Sequence, residues 1–230
     1  MSKPQNHLLA ALPAEVYERL APHLEDSPLL LGQVIYESGE RLDHIYFPTT
    51  SIVSLLYMME DGTSAEIGVV GNDGVVGIAW FMGGETTPNR AVVQSEGHSF
   101  TMIPGVLMQE FRRGGPLQLL LLRYTQALIT QMSQTAVCNR LHSVDQQLCR
   151  WLLLSHDRLD ANDLTMTQEL IANMLGVRRE GVTVAAGHLQ SAGLINYQRG
   201  KITILDRAGL EARSCECYQV VRNEFMRLLG

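Results

Sequence analysis

Cysteine is scarce and confined to one half of the chain. Of 230 residues four are cysteine, Cys138, Cys149, Cys215 and Cys217, and the first 137 positions have none. So sparse a set excludes a fold stapled by disulfides and fits a reducing compartment. Charged residues are also few, at 18% against 46% apolar, a balance that excludes a disordered chain. Long hydrophobic runs are missing. The greasiest stretch, Leu117 to Met132, is interrupted by Gln118, Arg123, Gln126 and Gln131, whereas a bilayer span needs ~20 predominantly apolar residues. The first residues offer only the short apolar patch Leu8 to Leu12, less than the core of a signal peptide. These absences predict a cytoplasmic protein with no membrane partner. No Gly-x-Ser-x-Gly, Walker A, His-Glu-x-x-His or paired-carboxylate signature occurs either, so no enzyme is expected.

What is present is unevenly distributed. The net charge is −6, yet residues 1–115 carry 6 Lys+Arg against 14 Asp+Glu and residues 116–230 carry 12 against 10. Concentration of basic side chains in one half hints at an end that meets nucleic acid.

Texture divides the chain into three. Leu8, Leu9, Leu12, Val16 and Leu20 recur at helical spacing, broken by Pro13 and Pro22. From Leu31, β-rich runs such as LGQVIYESG, SAEIGVVG and VVGIAWFM alternate with turn signals at Gly39, Asp61-Gly62, Gly71 to Gly74 and Gly83-Gly84, which predicts an all-β roll or jelly roll over about residues 30–105. Pro116 then opens a helix of about 25 residues, ~37 Å long at 1.5 Å per residue. Along it Leu117, Leu121, Tyr124, Leu128, Gln131, Thr135 and Cys138 follow a near-heptad spacing, and Leu119, Leu120, Leu122 and Ile129 widen the apolar surface. One side is expected to face the β-domain and another a second copy, with Leu117, Leu121, Tyr124, Leu128, Gln131 and Thr135 as the dimer interface. A second helix, Val144 to His156, leads into a polar connector from Asp157 to Asp163, read as a hinge. The fold class is therefore α+β: a sensor β-roll with short N-terminal helices over 1–115, a dimerisation helix and hinge over 116–160, and a C-terminal domain over 161–230.

Residues 164–206 carry the most information. Thr165 and Thr167 suit the N-cap of a helix that places Leu170, Ile171, Met174 and Leu175 on one side. Gly176 follows, then a second segment with Val182, Ala185, Ala186 and Leu189 on its buried side, which is a helix-turn-helix with glycine at the turn. After Gly193, two short β-like runs joined by Gln198-Arg199-Gly200 make a wing. Arg178, Arg179, Glu180 and Thr183 lie off the apolar side of the second helix, and those side chains can address guanine, cytosine, phosphate or a thymine methyl from the major groove. Arg199 and Lys201 add wing cations. The competing function is a small-molecule-binding or protein-interaction module whose winged domain serves assembly. Four basic groups, Arg178, Arg179, Arg199 and Lys201, favour double-stranded DNA over that alternative.

The run QELIANMLGVRREGVTVAAGHLQSAGLI, followed by RGKITILDRAGLE, resembles the winged helix-turn-helix of the Crp/Fnr family of bacterial transcription regulators, and Gly32, Gly39, Tyr46-Phe47, Gly62 and Gly77 fall where that family's β-roll places turns and strands. The resemblance implies a homodimer on an inverted-repeat operator, with RNA polymerase as a further partner. It implies that Arg179 and Glu180 read bases and that Thr167 caps the first helix and touches phosphate. Val184 stands where relatives that read the cyclic-AMP-type operator have a second arginine, so a different half-site is expected. In the cyclic-nucleotide cassette Gly77 is kept and Arg90-Ala91 matches the phosphate arm, but Ile78 replaces the glutamate that takes the ribose hydroxyl, and isoleucine accepts no hydrogen bond. A small-molecule effector other than cyclic AMP is the resulting expectation, with Gly77, Arg90 and Ala91 as its contacts. The cysteine-free N-terminal half implies no iron–sulfur cluster of the family's kind. His44 and His98 are read as hydrogen-bonded structure and not haem ligands, and Cys215-x-Cys217, with no His or Cys pair recognised nearby, as no metal site.

Overall fold

The computed structural model describes residues 5–159 and 162–230. Its N-terminal part opens with α1 (His7–Ala10) and α2 (Ala14–Leu20). Asn6 caps α1 through its side-chain oxygen and donates from Nδ2 to the carbonyls of Pro48 and Gly74, both at 2.9 Å, which fastens this end to the β-domain. Two antiparallel sheets follow. One runs in the order β1 (Glu25–Leu29), β7 (Gly97–Met102), β3 (Ile45–Pro48), and the other β2 (Val34–Tyr36), β6 (Arg90–Ser95), β4 (Ile52–Met58), β5 (Ser64–Val70). Between them Phe47, Ile45, Val53, Val75, Ala91 and Val93 are buried almost completely, the inward half of the alternation that β-strands impose. This is the expected roll, with one exception. VVGIAWFM is no strand: only Val76 bridges to Tyr46, and the chain then turns into α3 (Ala79–Met82), closed by Gly83 at φ 90°.

Three helices make the connection and two sit at the C-terminus. After α4 (Pro104–Arg112), the long helix α5 (Pro116–Leu141) begins on a proline, and α6 (Val144–His156) starts from a reciprocal capping box between Ser143 and Gln146. The C-terminal domain has β8 (Asp163–Thr165), α7 (Gln168–Leu175), α8 (Arg179–Ser191), β9 (Ile195–Gln198) and β10 (Lys201–Ile204), the strands ordered β8-β10-β9. Then come α9 (Arg207–Arg213) and α10 (Glu216–Leu229), the latter packed back along α5.

Three expectations are corrected here. First, the stripe assigned to a partner is used by the chain itself. Leu117, Leu121, Tyr124 and Leu128 belong to the β-roll core, Gln131 donates to the carbonyl of Val69 at 3.1 Å and accepts from its amide at 2.9 Å, and Thr135 is buried beneath Arg150. Exposing such leucines to meet another copy would cost about 1.5–3 kcal/mol each. The outward face of α5 is instead Leu119, Leu122, Ile129 and Val137. Second, α6 belongs with the C-terminal domain, because Leu148, Leu152 and Leu153 share one core with Ile171, Val182, Leu189 and Leu210. The boundary therefore falls at the α5–α6 corner; the expected boundary between 160 and 161 lies outside the described residues. Third, the connector is not a free hinge at its start. Arg158 is buried, paired with Asp73 at 2.8 Å, and set over the ring of Phe225.

Candidate nucleic-acid interface and sensor cavity

Local sequence builds the interface. Thr167 accepts from the amide of Leu170 at 3.2 Å and so starts α7. Gly176 ends it at φ 65°, a left-handed turn that aims α8 across the domain. Along α8, Val182, Ala185, Ala186 and Leu189 are buried while Arg179, Glu180, Thr183 and Val184 are exposed, with Arg178 as the exposed N-cap. The wing is a two-residue hairpin in which Arg199 (φ 50°) and Gly200 (φ 79°) both take positive φ, the geometry that matches the twist of tightly joined strands. An arginine held in that conformation projects from the tip.

These parts converge. Thr167, Arg179 and Arg199 line one open cleft together with Gln168, Tyr197 and Gly200. Arg179 has only a loose 4.0 Å approach to Glu169, and among the described residues Arg178 and Arg199 form no ion pair. Lys201 differs, since its ammonium lies 2.8 Å from Asp163, whose carboxyl is held below its usual range by Lys201 and Thr203. Thr183 donates to Gln168 at 2.8 Å, coupling the two helices. Sequence reasoning missed Gln168 and Tyr197. The tyrosine hydroxyl is anchored on the carbonyl of Met166 at 2.7 Å, and only the assembled hairpin reveals that position.

The β-roll carries a partly open cavity of about 220 Å³ bordered by α5 and lined by Tyr36, Leu55, Val75, Ile78, Asn89, Leu128 and Met132 among others. Gly77 lines it too, but serves packing: a Cβ there would come within 2.6 Å of Ile45. Arg90 and Ala91 are not in its lining. Arg90 is ion-paired with Glu37 at 3.1 Å and Ala91 is fully buried within β6, so neither of these two expected effector contacts faces this cavity. Every lining group is uncharged. Burial pushes the Tyr36 hydroxyl up to about 12, so it remains a neutral donor close to Asn89.

A second polar cluster joins the domains. Glu66 on β5 receives the indole N–H of Trp151 at 3.2 Å and lies 2.6 Å from the Ser54 hydroxyl, which is also 2.7 Å from Gln94. One hydroxyl proton cannot serve both oxygens, whereas a protonated Glu66 can donate to Ser54 while Ser54 donates to Gln94. Full burial agrees, raising the Glu66 carboxyl to about 7. The reading of Cys215-x-Cys217 as isolated is also corrected. The fold places Cys138 and His142 beside that pair.

A β-roll carrying a cavity, a long helix and a winged helix-turn-helix with exposed arginines together define a DNA-binding regulator of transcription. The comparisons agree. Residues 28–113 match the cyclic nucleotide-binding domain and residues 146–213 the Crp-like helix-turn-helix domain. The chain belongs to the Crp/Fnr family of transcription regulators. Among solved structures, FixK2 from Bradyrhizobium japonicum superposes with a TM-score of 0.69 at 15% identity, covering 84% of this chain and 98% of that one. A Crp/Fnr-family regulator from Eubacterium rectale gives 0.65 at 18%, covering 89% and 96%. CLP from Xanthomonas campestris, a c-di-GMP responsive global regulator, gives 0.63 at 16%, covering 84% and 99%. At these identities the likeness is one of fold. A comparison with curated protein sequences returns no match. Among the described residues no helix is long and apolar enough to cross a membrane.

Proposed function

We propose that the protein is a homodimeric, sequence-specific regulator that reads an inverted-repeat DNA site and addresses RNA polymerase from it. The observation that carries this reading is the single cleft where Thr167, Arg179 and Arg199 meet. Thr167 and the wing hold phosphate, while Arg179 and Glu180, at the start of α8, meet base edges. Val184 is 56% exposed on the same surface and offers only apolar contact, which supports a half-site unlike one read by an arginine there. Leu119, Leu122, Ile129 and Val137 supply the dimer seam on the outward face of α5. Selection on random duplex DNA tests the proposal: an inverted repeat with half-sites about one helical turn (~34 Å) apart is expected, and no enrichment would reject it.

The cavity supports an uncharged, largely apolar effector, because it offers Tyr36, Tyr57, Thr87 and Asn89 as polar contacts and no cation to an anionic ligand such as cyclic AMP or c-di-GMP. Leu128 and Met132 of α5 form part of its wall. A ligand there touches both the roll and the helix on which dimer geometry depends, and it acts only through unequal affinity for two arrangements. Calorimetry with cyclic AMP checks the charge argument; micromolar binding would contradict it.

A further inference from the structure

Beyond the DNA interface and the cavity, one cluster has no role in what has been described. Cys138 and His142 stand one helical turn apart at the end of α5, and Cys215 and Cys217 frame the first turn of α10. The three cysteines form a small buried cluster of their own, separate from both main cores. All are free thiols. The Cys138 and Cys215 sulfurs are 3.5 Å apart, well beyond a disulfide's ~2.05 Å.

The spacing of the four donor atoms matches a coordination sphere. Zinc–sulfur bonds of ~2.3 Å and zinc–nitrogen bonds of ~2.0–2.1 Å at tetrahedral angles give edges of ~3.8 Å between sulfurs and ~3.6 Å from sulfur to nitrogen. The observed edges are 3.5 Å for Cys138 to Cys215 and 3.6 Å from the Cys217 sulfur to Nδ1 of His142. All four donor atoms lie within 4.8 Å of one another, so a small inward movement closes the sphere.

Two features outside the sphere point the same way. While Nδ1 of His142 faces the sulfurs, its Nε2 lies 3.4 Å from the Glu216 carboxylate, an arrangement in which an outer carboxylate orients a ligating imidazole. Arg150, meanwhile, is buried, with Nη1 donating to Thr135 at 3.1 Å and Nε without a partner; no carboxylate lies within 4.0 Å of it among the described residues. Burying an uncompensated guanidinium is costly. Three thiolates, a neutral imidazole and Zn²⁺ carry a net −1, the compensating charge.

We propose that Cys138, His142, Cys215 and Cys217 form a closed, structural zinc site that clasps the end of α5 to the start of α10. Binding deprotonates three thiols, releases their protons to solvent and changes no oxidation state. With four protein ligands the ion has no open position for catalysis. Its effect is mechanical. Ser143, directly after His142, caps α6, so the clasp fixes the corner at which the sensor half passes into the DNA-binding half.

The test uses the full chain, purified under reducing conditions without a metal-affinity step. Elemental analysis should find one zinc per chain. After removal by chelator, Co²⁺ should restore one equivalent with the intense d–d bands and sulfur-to-metal charge transfer of a tetrahedral thiolate site. Cys217→Ser and His142→Ala should lose that spectrum, His142→Cys should keep it, and Cys149→Ser, outside the sphere, should leave it unchanged. A chain that holds no metal and gives no tetrahedral spectrum overturns the proposal. So do iron with acid-labile sulfide in place of zinc, a Cys138–Cys215 disulfide in the reduced preparation, or uptake unaffected by Cys217→Ser. If the variants fail to fold, the zinc content and Co²⁺ spectrum of the unaltered protein still decide.

Discussion

Arginine serves different ends in the two halves of this molecule. In the β-roll and along its seam, three guanidinium groups are taken up by carboxylates: Arg19 meets Glu110 at 2.6 Å, Arg90 meets Glu37 at 3.1 Å and Arg158 meets Asp73 at 2.8 Å. On the outer surface of the winged domain, Arg178 and Arg199 pair with nothing among the described residues and Arg179 barely reaches Glu169. Net charge hides this distinction. What separates a structural cation from one available to DNA is whether a carboxylate already occupies it. Arg90, aligned with a ligand-anchoring arginine, already meets Glu37, while Arg179 keeps its freedom.

The most forceful way to break the comparison is to remove a buried cation. Arg158→Ala should lower unfolding free energy by about 3–5 kcal/mol, because Asp73 is left without its partner beside a packed core. Urea denaturation measures it. Arg90→Ala, whose pair is partly exposed, should cost no more than about 1 kcal/mol. Equal losses in both would remove the difference claimed between buried and rim pairs.

Carboxyls, one half-buried and one fully buried, sharpen the same contrast. Asp73 has Arg158, whereas Glu66 has no arginine within 4.0 Å among the described residues. Its folded value of about 7 lies above its usual 4.5. Between those values the folded protein holds a proton that the unfolded chain has released. Stability is therefore fullest below the window, falls as pH rises through it and levels off above, by on the order of 3 kcal/mol. Glu66→Gln should flatten that slope in denaturation measured from pH 4.5 to 8; an unchanged slope would assign it to other groups.

Legibility in sequence follows the same division. The winged domain was readable because its signals are local: the Thr167 cap, the Gly176 turn and the Arg199-Gly200 hairpin each act within a few residues. The long helix was readable as a helix but not in its orientation. Two apolar stripes run along α5, and spacing alone does not tell the one closed by Val69 and Tyr124's neighbours from the one left open at Leu122 and Ile129. The Cys–His cluster was illegible for a related reason, since α10 returns along α5 only in the folded chain. Strand β8 is illegible in sequence, with Asp163 read as connector and Thr165 as a helix cap, because its ladder to β10 is three residues long and has no alternation to read.

At the DNA surface smaller effects are expected, separable from stability. Arg179→Ala should cost roughly 1–3 kcal/mol on the selected operator and relax preference at one base pair in each half-site. Its unfolding midpoint should not move, since the one ion pair of its side chain among the described residues is a 4.0 Å exposed approach. Competition binding against single-base operator variants reads the change in preference; uniform loss across all variants would remove Arg179 from base reading.

The smallest effect belongs to the wing. Arg199 stands at the hairpin tip in a left-handed conformation, with no ion-pair partner among the described residues, in the cleft that Arg179 of α8 also lines. In the proposed DNA complex a cation so placed would meet the phosphate backbone running past the major groove, and a phosphate contact is blind to sequence. Arg199→Ala should therefore weaken operator and random DNA alike and lower the slope of log K against log salt by about one per subunit. Because a glycine relieves positive φ where alanine does not, Arg199→Gly is the control that separates lost charge from a strained hairpin. If the alanine variant alone were impaired, the arginine would matter for the turn and not for DNA. If both lost the same salt-dependent increment while base preference held, the wing would be confirmed as a phosphate grip and the reading of sequence would rest on α8.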